Sequence, residues 1–154
     1  MNFLEQLVAE WYGYRGHFVR TNVRIGKRKG GGWEGEMDVV AFDPNTKVLT
    51  HIETSGDAAA WEQRRISFQK KFETAARYYT STFRFPINRV EKVAIVGPIK
   101  PRTVRGFGND ITVLSIPELM RQIKVELVKL DELHTVVPES YPLLRAIQFA
   151  QWEQ

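Results

Sequence analysis

The sequence predicts a mixed α/β fold, a sheet flanked by helices in the order αβββαββα with a further C-terminal helix. Three observations carry this. Residues 35–56 alternate with a period of two around a Pro-Asn turn, as a β-hairpin does. A long stretch with helical spacing follows at once. Two apolar runs, Val90–Val96 and Ile111–Ile116, then come with a second helical segment behind them.

Each element has its local cause. Phe3, Leu4, Leu7, Val8 and Trp11 recur at helical spacing, which predicts a helix over 2–13. Asn2 serves as its N-cap and Glu5 as the capping-box partner. Gly13 and Gly16 end that helix, and His17–Ile25 forms the first strand, with Phe18, Val23 and Ile25 apolar. Gly26-Lys-Arg-Lys-Gly-Gly-Gly32 lacks the phosphate-loop pattern and is expected as a mobile basic hairpin tip. The central hairpin runs up through Glu36–Phe42, turns at Asp43-Pro44-Asn45-Thr46 and returns through Lys47–Thr54. Asp57 caps a long helix, 58–82, whose core stripe is Trp61, Phe68, Phe72, Ala75, Ala76 and Tyr79. Gly97-Pro98 ends the strand Val90–Val96, and a basic loop leads to the strand Ile111–Ile116. Pro117 opens a helix from Glu118 to about Leu133, and 143–152 closes the chain as a short helix.

Composition narrows the function. The 154 residues are expected as a single domain, 1–154, with 43% hydrophobic and 26% charged residues. The absence of cysteine removes disulfides and thiolate metal sites, and fits a cytoplasmic protein. His17, His51 and His134 have no zinc-site spacing. No apolar run has the length of a membrane span, so no membrane partner is expected, and the acidic, amphipathic N-terminus is not read as a signal peptide. The net charge of +4 is unevenly spread: Trp11–Trp33 holds no acid but carries Arg15, Arg20, Arg24, Lys27, Arg28 and Lys29. Arg20, Arg24, Lys27, Arg28 and Lys29 are therefore candidates to grip a phosphate backbone; the plainer alternative is a solvated basic loop.

In the hairpin, alternation puts Glu36, Asp38, Val40 and Phe42 on one face, and Leu49, His51, Glu53 and Ser55 on one face of the return strand. Asp38 and Glu53 thus lie near each other among apolar neighbours. Either they are surface acids on an edge hairpin, or something positive pairs with them. A hard cation such as Mg²⁺ suits two carboxylates.

An acidic first helix, a hairpin carrying Asp38 and then Glu53-Thr54-Ser55, and a following helix resemble the PD-(D/E)XK nuclease superfamily. The resemblance covers roughly the first 120 residues by element order. It implies a restriction endonuclease-like fold and a site in which Asp38 and Glu53 hold Mg²⁺ (or Mn²⁺) with the Thr54 carbonyl. It also implies a site role for Glu5, set against its role as a cap. Ser55 departs from the pattern, standing where the family has its catalytic lysine. In some members of the superfamily that lysine has moved to the following helix. With Phe72 facing the core, Lys71 lies about 100° round and Lys70 about 160° round in the other sense. Lys71 is the better placed, Gln69 on the other margin is a polar companion, and Ser55 could hold a water. The alternative is that Arg64, Arg65, Lys70, Lys71 and Arg77 form a solvated basic face. The function expected is a Mg²⁺-dependent nuclease acting on DNA, with a homodimer among the expected assemblies. Set beside it are an inactive module of the same fold that binds nucleic acid or a protein, and a structural interaction protein.

Overall fold

The central hairpin is the middle of a five-stranded sheet in the computed structural model, which describes residues 1–56, 59–100, 103, 105–108, 110–130 and 135–152. The strands β1 (Phe18–Lys27), β2 (Trp33–Asp43), β3 (Val48–Ser55), β4 (Arg89–Val96) and β5 (Ile111–Ser115) lie side by side in chain order. The first three run antiparallel; β4 is parallel to β3, and β5 to β4. The helices are α1 (Phe3–Tyr14), α2 (Trp61–Ala76), α3 (Tyr79–Thr82), α4 (Ile116–Val128) and α5 (Pro142–Ala150). A parallel neighbour requires a crossover, and α2 with α3 supplies it between β3 and β4. The mixed α/β architecture is as the sequence predicts.

Period-two alternation divides the apolar side chains between two layers. On one face Val39, Ala41, Ile52 and Ile95 pack against Leu4, Leu7, Val8 and Trp11 of α1, with Leu119, Ile123 and Leu144 of α4 and α5. On the other face Val40 and Leu49 meet Ala75 and Tyr79, while Ala94 and Val96 meet Phe68 and Phe72. Covered on both faces, β3 is buried from Val48 through Thr54. Buried Glu10 accepts the N–H groups of Leu143 and Leu144 at 2.9 and 3.1 Å. A carboxylate thus caps the N-terminus of α5 and ties it to α1.

The structure departs from the sequence reading at several boundaries. β1 and β2 are longer than expected, and residues 33–37 run past the end of β3, whose pairing with β2 begins at Val39. They form a two-stranded arm with β1. Its tip is a closed turn: Arg28 N–H donates to Gly32 O at 3.0 Å and Gly31 N–H to Arg28 O at 3.2 Å. Gly31 and Gly32 adopt φ of 97° and 78°, open to glycine at little cost.

The long helix expected over 58–82 starts at Trp61 and is broken after Ala76; Asp57 and Ala58, its expected cap and start, lie outside the described residues. Arg77 and Tyr78 donate to Thr74 and Ala75, three residues back, which tightens and ends the last turn. The arm holds both residues: Arg77 pairs with Glu34 at 3.2 Å, and the Tyr78 ring lies over Gly26, where a Cβ would stand 2.8 Å from it. This tertiary contact overrides a continuous helical pattern. α4 begins one turn-position earlier than expected, at Ile116, so Pro117 is its second residue. Ser115 caps it through a capping box with Glu118. The expected end, Leu133, lies outside the described residues, and the helix closes at Val128.

Ser115→Ala removes a buried cap whose hydroxyl accepts the Glu118 N–H. It is expected to lower unfolding stability by about 1 kcal/mol, read as a lower denaturant midpoint at unchanged slope.

Candidate functional site

The site arises where β2 and β3 part. Their ladder runs from Asp43 opposite Val48 to Val39 opposite Ile52 and stops there. At the next position Asp38 faces Glu53, and side chains take over the backbone donors. Asp38 N–H donates to Glu53 Oε1 at 3.3 Å, and Thr54 N–H and Oγ1 donate to Asp38 Oδ2 at 2.9 and 3.3 Å. On the β1 side, Asn22 stands between the pairs Thr21–Val39 and Val23–Met37 with φ of 51°. Alternation changes phase here, for Met37 joins Val23 and Ile25 in the same cluster as Val40. Glu36, expected on the Asp38 face, is instead exposed beside Asn22 and Arg24.

One cation bridges the two acids. Lys71 Nζ lies 2.5 Å from Glu53 Oε2 and 3.4 Å from Asp38 Oδ1. Behind Glu53 stands His51, with Nε2 2.7 Å from Glu53 Oε1 and Nδ1 2.7 Å from the Tyr79 hydroxyl. The His51 ring packs edge-on against both Phe72 and Tyr79. His51 and Glu53 are both 0% exposed. Burial, then the charge of Glu53, keeps the Tyr79 phenol protonated well above its usual range. Both ring nitrogens of His51 are thus occupied, Nδ1 by the Tyr79 hydroxyl and Nε2 by Glu53.

The electrostatics split the acids. Asp38 is pushed up to about 6 by burial and by the charge of Glu53, against the pull of Thr54 N–H and Lys71. Burial would also raise Glu53, but His51 and then Lys71 outweigh it and hold that carboxyl below its usual range. Burial would lower Lys71, yet Glu53 and Asp38 prevail and raise it, so the ammonium keeps its proton. Lys71 is thus a donor of charge and hydrogen bonds, not a base.

The sequence-derived candidates divide. Asp38, Glu53, Thr54 and Lys71 come together. Ser55, half-buried at the end of β3, lines a cleft of about 450 Å³ with Thr54, Ser67 and Lys71. Lys70 is exposed and lines a smaller cleft of about 270 Å³ with Asp38 and Thr74. Gln69 is not beside the acids: its amide donates to Phe107 O at 2.9 Å, because the Phe107 ring stacks on Phe68 and brings its carbonyl to that margin of α2. Glu5 acts as a cap, bonded to Asn2, on the helix covering the opposite face of the sheet. Arg20 stands over the Phe83 ring at 5.9 Å, and Arg24 pairs loosely with Glu36 at 3.8 Å. Lys27, Arg28 and Lys29 are exposed at the arm's tip. Sequence reasoning missed His51 and Tyr79 as site residues, although alternation already put His51 on the face of Glu53. It also set Arg64 among solvated cations, whereas Arg64 is buried.

Among the described residues no group of three or more His, Cys, Asp or Glu is placed to hold a metal. The donor set of Asp38, Glu53 and Thr54 consists of oxygens, and Mg²⁺ commonly takes one or two carboxylates with water and phosphate oxygens completing its shell. The residues fit a hard cation on that ground. Among the described residues no helix is long and apolar enough to cross a membrane. No family model, curated protein or solved structure matches the chain.

Asp38 supplies a pH test. Its pKa in the fold, about 6, exceeds the ordinary 3.8, so the folded state holds the proton more tightly. Stability from this group is present below the unfolded value and is lost as pH rises from about 4 to about 6. The whole difference is on the order of 3 kcal/mol. Asp38→Asn should therefore unfold at higher denaturant than wild type at pH 8, with the gap closing toward pH 4.

Proposed function

We propose that the chain is a Mg²⁺- or Mn²⁺-dependent nuclease of the PD-(D/E)XK superfamily that hydrolyses phosphodiester bonds of DNA. The observation that carries this reading is the Lys71 ammonium against both Asp38 and Glu53. Ser55 leaves the strand without a lysine, and α2 supplies the missing charge to the same pair of acids. The succession of helix, three antiparallel strands, helix and parallel strand adds support.

Asp38 and Glu53 would be the carboxylate donors for the cation, with the Thr54 carbonyl as a further ligand. When bound, the cation supplies Lewis acidity and lowers the pKa of a water. The residues divide the remaining work. His51, out of contact with solvent, fixes Glu53 Oε1 and so aims Oε2 at the site. Asp38 must lose its proton to act as a ligand, so metal affinity should rise with pH through about 6. Lys71, 42% exposed and protonated, holds a phosphate oxygen and stabilises charge developing on it. The arm extends β2 from Asp38 to Trp33, roughly 17 Å at the rise of a strand. It carries Lys27, Arg28 and Lys29 at its exposed tip, where they would grip the phosphates of a bound strand.

A second reading has one observation in its favour. Every oxygen of the two carboxylates already has a partner: Lys71 and Thr54 on Asp38, His51, Asp38 N–H and Lys71 on Glu53. A module that binds DNA without cutting it needs no more than this internal neutralisation.

Metal titration separates the two. Mn²⁺ should bind saturably and raise the melting temperature, with affinity at least tenfold weaker in Asp38→Asn or Glu53→Gln. Plasmid and single-strand cleavage should require Mg²⁺ or Mn²⁺ and stop in EDTA. Lys71→Ala should slow it by ~10²-fold or more, and Ser55→Lys should restore part of that loss. Wild-type activity in Lys71→Ala would sink the role given to that lysine, and absence of both metal binding and cleavage would favour the binding module.

The arm offers a separate test. Replacing Lys27, Arg28 and Lys29 by Ala should weaken DNA binding about equally for all sequences and reduce the salt slope by up to ~3 units. An unchanged slope would place the tip outside the interface.

A further inference from the structure

The basic residues of α2 are not equivalent. Arg65 is paired with Glu62 on the surface, and Arg77 with Glu34. Arg64 is only 9% exposed, its Nε is buried without a hydrogen-bond partner, and among the described residues no carboxylate pairs with it. A guanidinium cannot shed its charge to escape burial. A buried cation without a counter-ion is costly, and such a group in a native fold calls for an explanation.

Its position supplies one. The guanidinium lies beyond the parallel strands β3 and β4, whose last pair is Ser55 with Val96. A Cβ at Gly97 would stand 3.8 and 4.0 Å from its two terminal nitrogens and 4.0 Å from Gly56 O. The carboxyl ends of parallel strands are where open α/β sheets bind ligands. On α2, Arg64 and Lys71 point within about 20° of each other, roughly 10 Å apart along the axis. Both line the 450 Å³ cleft, together with Thr54, Ser55, Ser67 and Gln63. Among the described residues no carboxylate lines that cleft. Two cations, the hydroxyls of Ser55 and Ser67 and an amide are a set of groups for a tetrahedral oxyanion.

We infer that Arg64 is the anchor of a phosphate subsite in this cleft, holding a nucleic-acid backbone phosphate adjacent to the one that meets Lys71. This rests on the nuclease reading for the identity of the strand, but the subsite itself requires neither metal nor cleavage. Arg64 presents the bidentate fork, and Ser55 and Ser67 complete the oxygen contacts. In this arrangement Ser55, the departure from the family pattern, serves a phosphate-facing role, since a lysine there would crowd a third cation into the cleft.

The test follows the Arg64 Nε–Hε resonance by NMR, without metal, as inorganic phosphate and then a short thymidine oligonucleotide are added. Both should shift it saturably, the oligonucleotide at lower concentration, and both should raise the melting temperature. Arg64→Lys keeps the charge but loses the fork, and should bind at least tenfold more weakly. Arg64→Met keeps the stem's bulk and removes a buried charge that no carboxylate among the described residues pairs with. It should be as stable as wild type without phosphate and should lose the phosphate-induced rise in melting temperature. Wild-type phosphate affinity in Arg64→Met, or an Nε–Hε signal that phosphate leaves unmoved, would overturn the subsite. Tighter binding of inorganic phosphate than of the oligonucleotide would overturn its assignment to a nucleic-acid strand. Metal-dependent cleavage with unchanged KM in Arg64→Met would overturn the inference while leaving the nuclease reading intact. Phosphate binding at Arg64 with no cleavage by wild type would support the subsite and count against the nuclease.

Discussion

A fully buried glutamate governs the centre of this protein. Glu53 lies on the innermost strand of the sheet with no solvent around it. An isolated carboxylate there would be neutralised or expelled. It stays ionised because His51 holds one oxygen and Lys71 the other. Each of these is in turn fixed: His51 by the Tyr79 hydroxyl and the Phe72 ring, Lys71 by its helix. The helix can occupy that position only because Phe68, Phe72 and Ala75 seat it on the sheet. Packing and electrostatics therefore specify the same placement of α2, and neither would suffice alone. Asp38 enters this arrangement as the weaker acid, its charge opposed by burial and then by that of Glu53.

The splaying of β2 from β3 turns a structural defect into a site. Backbone donors that lose their ladder partners must find others, and here two carboxylates accept them. The same divergence frees the outer part of β2 to pair with β1 alone, which makes the arm. Gly26 lets the arm approach the Tyr78 ring, where any side chain would clash. Acid pair, arm and helix break are thus consequences of one separation between two strands.

Much of this was legible in the sequence, and for stated reasons. Period-two alternation identified the hairpin and put Asp38 and Glu53 on a shared face, because a strand offers only two faces. Helical angle alone favoured Lys71 over Lys70. Arg64 entered the sequence reading only as part of a solvated basic face, because its charge suggested solvent and nothing local reveals the cleft that receives it. Tyr79 read as core because it continues the apolar stripe, and its hydroxyl contact with His51 depends on a break that only the arm explains. Gln69 occupied the right margin for a polar companion until Phe107, far along the chain, presented its carbonyl. Glu5 satisfied two local patterns at once, and the capping box is the one realised.

The strands lie across the sheet in the order in which they occur in the chain. Each pairing therefore closes a loop between consecutive elements, which keeps the entropy of assembly low and favours rapid folding. The antiparallel β2–β3 hairpin needs only its own turn to form. Lys71, by contrast, is carried by the crossover helix that links β3 to β4. This geometry implies that the two acids meet before their cation does. Their mutual repulsion is then a transient resistance in the nascent hairpin, relieved when the helix docks.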